Sequence, residues 1–487
     1  MAEPIRRETQ HRIDLERLAL SAWLICVAVG WGVLGSSDLR PDLSEPPLLT
    51  GLLVALALLA PTLLMLRREG NLYWLLGLSA AIGVVPRIPL FPFVSEYAHI
   101  VLILVAATAF TQVMLERRLS QRADIVVKLL LYYIFVAMMS VAVNFLMRGD
   151  VWQLKVGISH LVIVTTVASI YIFSSSQNNT NSVEEILNGL IVGAAFQIGL
   201  AVMAAPLLFT VPYSEDGNSI FGLAYFDRYS GTFHGPVALA LFFVAVTPVL
   251  LMKEVRVPSW ISMVYLQVVP WAVMVTGSRS ARIMQLVVLS LLLIPSRTRM
   301  KVVLSLPSAV LAYSVAFYYN SFPAAVKALL GDDEASSLSL QDRFFETPDR
   351  WQMAADTSQA ISTASWPQLL LGYGPGVGGH SSSGYESSHT GLLNAIYDTG
   401  LMGAAGVFFV LAVIGYRLLR QSVMGGEVAQ RAQLLLISYI VVLAANVTYV
   451  PQHWGFCVVI IFAAHLSTTT YGPHAVPISK RPVYSEQ

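Results

Sequence analysis

Long apolar runs separated by short polar links dominate the hydrophobic pattern of this chain of 487 residues. A helix needs roughly 20 apolar residues to cross the hydrocarbon core of a membrane, and it satisfies its own backbone hydrogen bonds there. The pattern therefore predicts about 14 membrane helices, with about 12 as the lower bound. They cover residues 18–36, 48–66, 72–90, 98–115, 125–147, 157–174, 185–210, 235–252, 258–277, 283–295, 302–319, 391–416, 432–449 and 454–469.

Composition narrows the class further. Hydrophobic residues make up 55% of the chain and charged residues only 12%, against about 25% charged in a soluble domain. Thirty Lys and Arg face 29 Asp and Glu, so no net charge attracts nucleic acid. These values exclude a soluble enzyme and a disulfide scaffold, and they predict an all-α polytopic membrane protein. Both Cys26 and Cys457 lie in apolar runs and are interpreted as buried small side chains.

The basic residues predict the orientation of the helices. With an inside N-terminus, 19 of the 30 Lys and Arg fall in inside segments and ten fall outside, Lys128 lying within a span. This bias predicts that both termini are cytoplasmic. It divides the chain into helices 1–6 (residues 1–184), helices 7–11 (185–319), one long outside loop (320–390) and the C-terminal helices with their tail (391–487).

The outside loop differs from the other links in composition. Its aromatic and aliphatic content argues against disorder, and residues 351–371 have the pattern of an amphipathic helix at the membrane interface. Residues 372–379 are rich in glycine but lack the Lys-Ser/Thr ending of a phosphate-binding P-loop. They indicate either a hinge or a close approach of the backbone to a ligand.

Five arginines on the outside oppose the general bias and are candidates for binding phosphate. Arg279 and Arg282 are spaced to share one face at the start of a helix, where the helix dipole and the guanidinium groups favour a pyrophosphate. Anchoring to lipid headgroups is the alternative. Arg228 has the alternative of pairing with a nearby aspartate, and Arg343 and Arg350 have that of local ion pairs within the loop.

His389 is the candidate general base. It precedes an apolar helix and follows Glu386 by three residues, and a carboxylate that holds one ring nitrogen suits a histidine to this role near neutral pH. A capping or interfacial histidine is the alternative. His380 lies nine residues earlier with no third ligand at a suitable spacing, so we predict no metal site.

Together these residues fit one reaction. Outside the membrane there is no supply of nucleotide sugars, so a sugar donor there must be lipid-linked. Departure of a polyprenyl diphosphate requires cations to stabilise its charge, and the acceptor hydroxyl requires a base. The arginines and the histidine supply both without a metal or another cofactor.

At these residues the chain resembles the O-antigen ligase and O-antigen/exopolysaccharide polymerase superfamily of bacterial inner-membrane glycosyltransferases. The similar segments are Gly277-Ser-Arg-Ser-Ala281, the Leu370–Gly376 run with Trp351 and Arg343 or Arg350, and the block from His389 to Leu401; Arg228–Phe233 is a looser match. The similarity covers roughly residues 185–449. The Arg–Trp spacing differs from that of the family, so Arg343 and Arg350 both remain candidates.

The resemblance implies a GT-C-like fold and an inverting, metal-independent transfer of an undecaprenyl-diphosphate-linked oligosaccharide at the periplasmic face. His389 would be the base, with Glu386 and Tyr385 supporting it. Arg279 would be the first pyrophosphate ligand, Arg343 or Arg350 the second, and Arg228 and Arg282 would assist. Expected partners are the lipid-linked donor, a glycan acceptor, membrane lipids and a chain-length regulator, with no nucleic acid. Polymerase is the first choice, O-antigen ligase the alternative, and a flippase for the same lipid the alternative of another class.

Overall fold

A computed structural model gives the structure of the protein. It is an α-helical membrane protein. The structure describes residues 17, 19–24, 27, 48–66, 69–82, 97–116, 124–176, 181–208, 224–225, 228–229, 233, 236–253, 255, 257–276, 278–318, 348–375, 391–444 and 454–470, in some cases by the backbone alone. A two-stranded hairpin is the one exception to helix among the elements of these ranges.

Fifteen helices are numbered here in chain order. They are α1 Leu48–Leu66, α2 Glu69–Ile82, α3 Tyr97–Glu116, α4 Ile125–Arg148, α5 Val151–Ser176, α6 Asn181–Leu208, α7 Pro236–Leu250, α8 Ser259–Val275, α9 Arg279–Leu292, α10 Ser296–Tyr318, α11 Pro348–Ser362, α12 Trp366–Leu371, α13 Gly391–Ser422, α14 Gly426–Ala444 and α15 Trp454–Thr470. Strands β1 (Ala224–Tyr225) and β2 (Arg228–Tyr229) pair antiparallel between α6 and α7.

Each predicted span from residue 48 onward overlaps a helix within the described residues. Within the described side chains, five helices are long and apolar enough to cross a membrane: Ile125–Arg148, Gln153–Ile172, Ser182–Ala201, Gly391–Ser422 and Gly426–Ala444. Six shorter apolar helices accompany them. The membrane-helical class is thus established, while the number of 14 spans stays a prediction.

The loop region differs from the single helix predicted over residues 351–371. Two helices, α11 and α12, occupy it, and Thr363–Ser365 separate them. Ser365 starts the second helix, because its side chain and that of Gln368 form a capping box with Pro367 in the first turn. The capping box at Ser365 therefore divides a segment that the apolar pattern predicts to be one continuous helix.

Helix α4 packs along α13 and α5, and these contacts position the candidate site. α4 begins after Asp124 and ends at Gly149, whose left-handed φ of 65° lets its N–H bond the carbonyl of Phe145. Helix α13 packs in turn on α14, which packs on α7 and α15. Apolar side chains fill the interior between them, together with His160, His465 and Cys457, which are buried as predicted.

Contacts between helix ends define one end of this bundle, which we call the basic end. At the start of α4, Asp124 accepts two hydrogen bonds of 2.6 Å from Arg417, near the end of α13. Burial raises the pKa of Asp124, but the Arg417 hydrogen bond and the charges of His465 and Arg417 outweigh it and hold that pKa below its ordinary value. Four residues after α13 ends, α14 begins, and its Glu427 pairs with Lys253 at 2.5 Å.

Candidate functional site

At the other end of α4, two of the motif segments singled out from the sequence meet through their backbones. Tyr373 N donates to Tyr397 O at 2.7 Å, and Gly374 N donates to Asp398 O at 3.0 Å. The first segment follows α12 in the connection between α10 and α13, and the second belongs to α13. We call this pairing of residues 372–374 with residues 397–400 the ladder.

Two glycines face each other across the ladder. Gly372 has φ 76° and ψ −173°, and Gly400 has φ 66° and ψ −175°, a region that is essentially open to glycine alone. A Cβ on Gly372 would overlap the carbonyl of Asp398, and a Cβ on Gly400 would overlap that of Leu370. The backbone of the Gly-rich segment therefore approaches the chain itself closely at Gly372, and the predicted hinge or ligand contact of residues 372–379 stays a prediction.

Polar side chains of α4 donate hydrogen bonds to backbone carbonyls of the ladder. Asn144 Nδ2 donates to Gly372 O at 3.0 Å and to Ser140 O at 2.9 Å, and Ser140 Oγ donates to Asp398 O at 3.4 Å. Asn144 is only 4% exposed, and in a membrane interior such donors are retained where they satisfy another group. One α4 amide thus fixes the loop segment against the helix pair.

An aromatic pair covers the ladder. The rings of Tyr373 and Tyr397 stack with centroids 4.5 Å apart and planes 15° from parallel. The Arg148 guanidinium lies 5.1 Å from the centre of the Tyr373 ring, a cation–π distance. The Tyr373 hydroxyl donates to Ala360 O of α11 at 3.1 Å. These contacts bring the loop helices, the end of α4 and the start of α13 into one unit.

The link between α8 and α9 contains the residue that caps the start of α9. Ser278 is the N-cap of α9 and accepts a hydrogen bond from Ala281 N at 3.4 Å, so the serine rather than an arginine starts the helix. Arg279 is consequently its first residue, beside the backbone N–H groups that the first turn leaves without helical partners. Arg282, one turn on and half-buried, donates to Met274 O at 3.4 Å.

Helix α8 shows at which end of the bundle these arginines lie. Near its start, Ser262 Oγ accepts from Lys301 Nζ at 3.0 Å, close to the start of α10 and thus to the basic end. Met274 lies near the other end of α8, about 18 Å away at roughly 1.5 Å per residue, and this is where Arg282 is bound. The α9 arginines therefore occupy the end opposite the basic end, as the ladder does.

The remaining predicted site residues are described only in part. His389, Arg343, Glu386 and Tyr385 lie outside the described residues. The backbone alone is described for Arg228 in β2, for Arg350 in α11 and for Arg279. Arg228 pairs with Tyr225 in the hairpin. His389 precedes the first residue of α13 by two positions in the sequence.

Sequence reasoning missed the α4 residues that donate hydrogen bonds to the ladder. Asn144 and Ser140 lie in a run that reads as an ordinary apolar span, and both are buried. Three polar residues near the start of α13, Asn394, Asp398 and Thr399, are also buried. Polar groups inside a membrane helix are costly and by default indicate a functional site. The polar residues within these two apolar runs were therefore the sequence signal that could have identified the support of the ladder.

Replacing Asn144 with leucine tests the support of the ladder. We expect a loss of about 1–3 kcal/mol of stability, because the Gly372 carbonyl keeps its burial and loses its donor. Thermal unfolding in detergent measures it. Ser169→Ala is the control, since it removes an exposed hydrogen bond within α5. Equal melting temperatures for the two variants would contradict a supporting role for Asn144.

No protein-family model matches the chain, and no curated protein sequence matches it. The resemblance consequently rests on the motif residues of the sequence alone.

Proposed function

We propose that the protein is an inverting, metal-independent glycosyltransferase of the bacterial inner membrane that polymerises undecaprenyl-diphosphate-linked oligosaccharides. The observation that carries the proposal is the ladder, which joins two motif segments by backbone bonds. It lies at the same end of the bundle as Arg279 and Arg282. One end thus holds the described part of the loop next to the ladder, the start of α13 and the start of α9, and this end is proposed to be periplasmic.

The chemistry assigned to this end needs two functions. The start of α9, with Arg279 as its first residue and Arg282 one turn on, suits the departing diphosphate, because the helix dipole and two cations stabilise its charge. His389 takes the proton from the acceptor hydroxyl, Glu386 holds its other ring nitrogen, and Tyr385 supports them. Arg343 or Arg350 completes the diphosphate site from the loop, and Arg228 assists.

Replacing Arg279 with lysine tests this assignment. The change keeps the charge and removes the paired donors, so we expect transfer from a purified lipid-linked donor to fall about 10–100-fold, the equivalent of one charge-assisted hydrogen bond. Arg299→Lys is the matched control, because Arg299 lies near the start of α10, toward the basic end, and donates to Leu293 O. Full activity of Arg279→Lys would mean that Arg279 only anchors the helix.

The glycan profile of a deletion strain tests the function itself. Lipopolysaccharide capped with a single repeat, or loss of a secreted polymer, indicates the polymerase. Uncapped lipopolysaccharide with accumulated carrier-linked chains indicates the ligase. Repeat units trapped on the cytoplasmic side would instead indicate a flippase and would overturn the proposal.

A further inference from the structure

A cavity at the basic end has no role in the proposed transfer. Its volume is about 520 Å³, within the range of ligand pockets, and Arg297, Gly426, Glu427 and Gln430 contribute to its wall. A second cavity of about 180 Å³ adjoins it and shares Arg297, Glu427 and Gln430. The two form one depression between the ends of α7, α10 and α14, which we call the basic-end cavity.

The charge of its wall is strongly positive. Four cations contribute, namely Lys253, Arg297, Lys301 and Arg431, against Glu427 as the one carboxylate among its lining residues. Glu427 pairs with Lys253 at 2.5 Å and lies 4.0 Å from Arg297. The Arg297 and Glu427 side chains are 58% and 60% exposed, so a ligand can reach them from solvent.

Two helix starts add to this field. Arg297 is the second residue of α10, and Gly426 and Glu427 open α14. The first N–H groups of a helix lack helical partners, and the dipole makes that end positive. Both helices therefore direct their positive ends toward the same cavity that the cations line.

Exposed apolar side chains lie in the same chain segments as the residues that line the cavity. Val423 lines it and is 78% exposed, while Ile294, next to the lining residue Pro295, is 68% exposed. Met300, which lies in sequence between the lining residues Arg297 and Lys301, is 67% exposed. A cationic cavity beside an apolar surface matches an amphiphile whose head is anionic and whose tails lie along the helices.

We infer that the basic-end cavity binds a phosphate group, supplied by an anionic membrane lipid or by a soluble phosphate. The four cations and two helix starts form the receptor, and the exposed apolar side chains of the same segments give lipid tails a surface to lie on. This site is separate from the proposed transfer site, since it lies at the opposite end of the bundle.

Lipid retention by the purified protein tests the inference. Phosphatidylglycerol, phosphatidylcholine and inorganic pyrophosphate are titrated separately onto detergent-solubilised protein, and bound copies are counted by native mass spectrometry at matched ionic strength. We expect Arg297→Gln to weaken binding about tenfold or more, as loss of a charge-assisted contact does. Glu427→Gln should strengthen binding, because it removes the carboxylate and releases Lys253 from its ion pair.

Arg420→Gln is the matched control, since Arg420 is exposed near the end of α13 and lines neither cavity. Selective retention of phosphatidylglycerol that pyrophosphate does not displace identifies a lipid as the source. Pyrophosphate binding without phosphatidylglycerol selectivity identifies a soluble phosphate. Identical binding by wild type, Arg297→Gln and Glu427→Gln would overturn the site, and so would an equal loss in Arg420→Gln.

Discussion

Replacing His389 with alanine is expected to lower glycan transfer about 10²–10⁴-fold at neutral pH, the usual contribution of a general base. The acceptor hydroxyl then keeps its proton as the new glycosidic bond forms. The assay uses purified protein, a lipid-linked oligosaccharide donor and gel separation of the products by length. Helical content and melting temperature should stay near those of the wild type, because the change removes one side chain two residues before α13 begins.

His380→Ala provides the comparison for that experiment. His380 lies in the same loop, nine residues earlier, and has no role in the proposed mechanism. It should retain wild-type transfer. Undiminished transfer by His389→Ala at normal protein levels would remove the base assignment, and the resemblance would then lose its central residue.

Replacing Gly400 with alanine is expected to separate the two halves of the ladder. The residue has φ 66°, and a Cβ there would overlap the Leu370 carbonyl. Backbone strain and overpacking together should cost about 2–5 kcal/mol. Glycan transfer should fall together with stability, because the loop segment would no longer form its backbone hydrogen bonds to Tyr397 and Asp398. Thermal unfolding and the transfer assay measure the two effects.

A second glycine supplies the control. Gly199 lies within α6, and a Cβ there would meet nothing within 4 Å, so Gly199→Ala should be neutral or slightly stabilising. Gly372→Ala should reproduce the Gly400→Ala defect from the opposite side of the ladder. A fully stable and active Gly400→Ala variant would show that the close contact is not required.

The membrane helices were predictable because their signal is local. A run of apolar residues of sufficient length is by itself enough to favour a helix in lipid. The predicted spans at residues 48–66 and 125–147 match α1 and α4 almost to the residue. Interpretation of His160 and His465 as buried core residues is confirmed for the same reason, since each lies in such a run.

The ladder was not predictable because it depends on contacts distant in sequence. Asn144 and Gly372 are 228 residues apart, yet their hydrogen bond positions the loop. Gly400 interrupts α13 inside an apolar run that has the pattern of one continuous helix. Likewise, the capping box at Ser365 divided a predicted amphipathic helix, because a local hydrogen-bond pattern outweighed the apolar periodicity.

The backbone character of the ladder has a consequence for how this protein varies in evolution. Its two joining bonds use main-chain atoms, which every residue type except proline supplies in full. Only Gly372 and Gly400 are constrained by shape. Homologues are therefore expected to exchange most neighbouring side chains while retaining these two glycines, so that architecture persists after recognisable sequence identity has been lost.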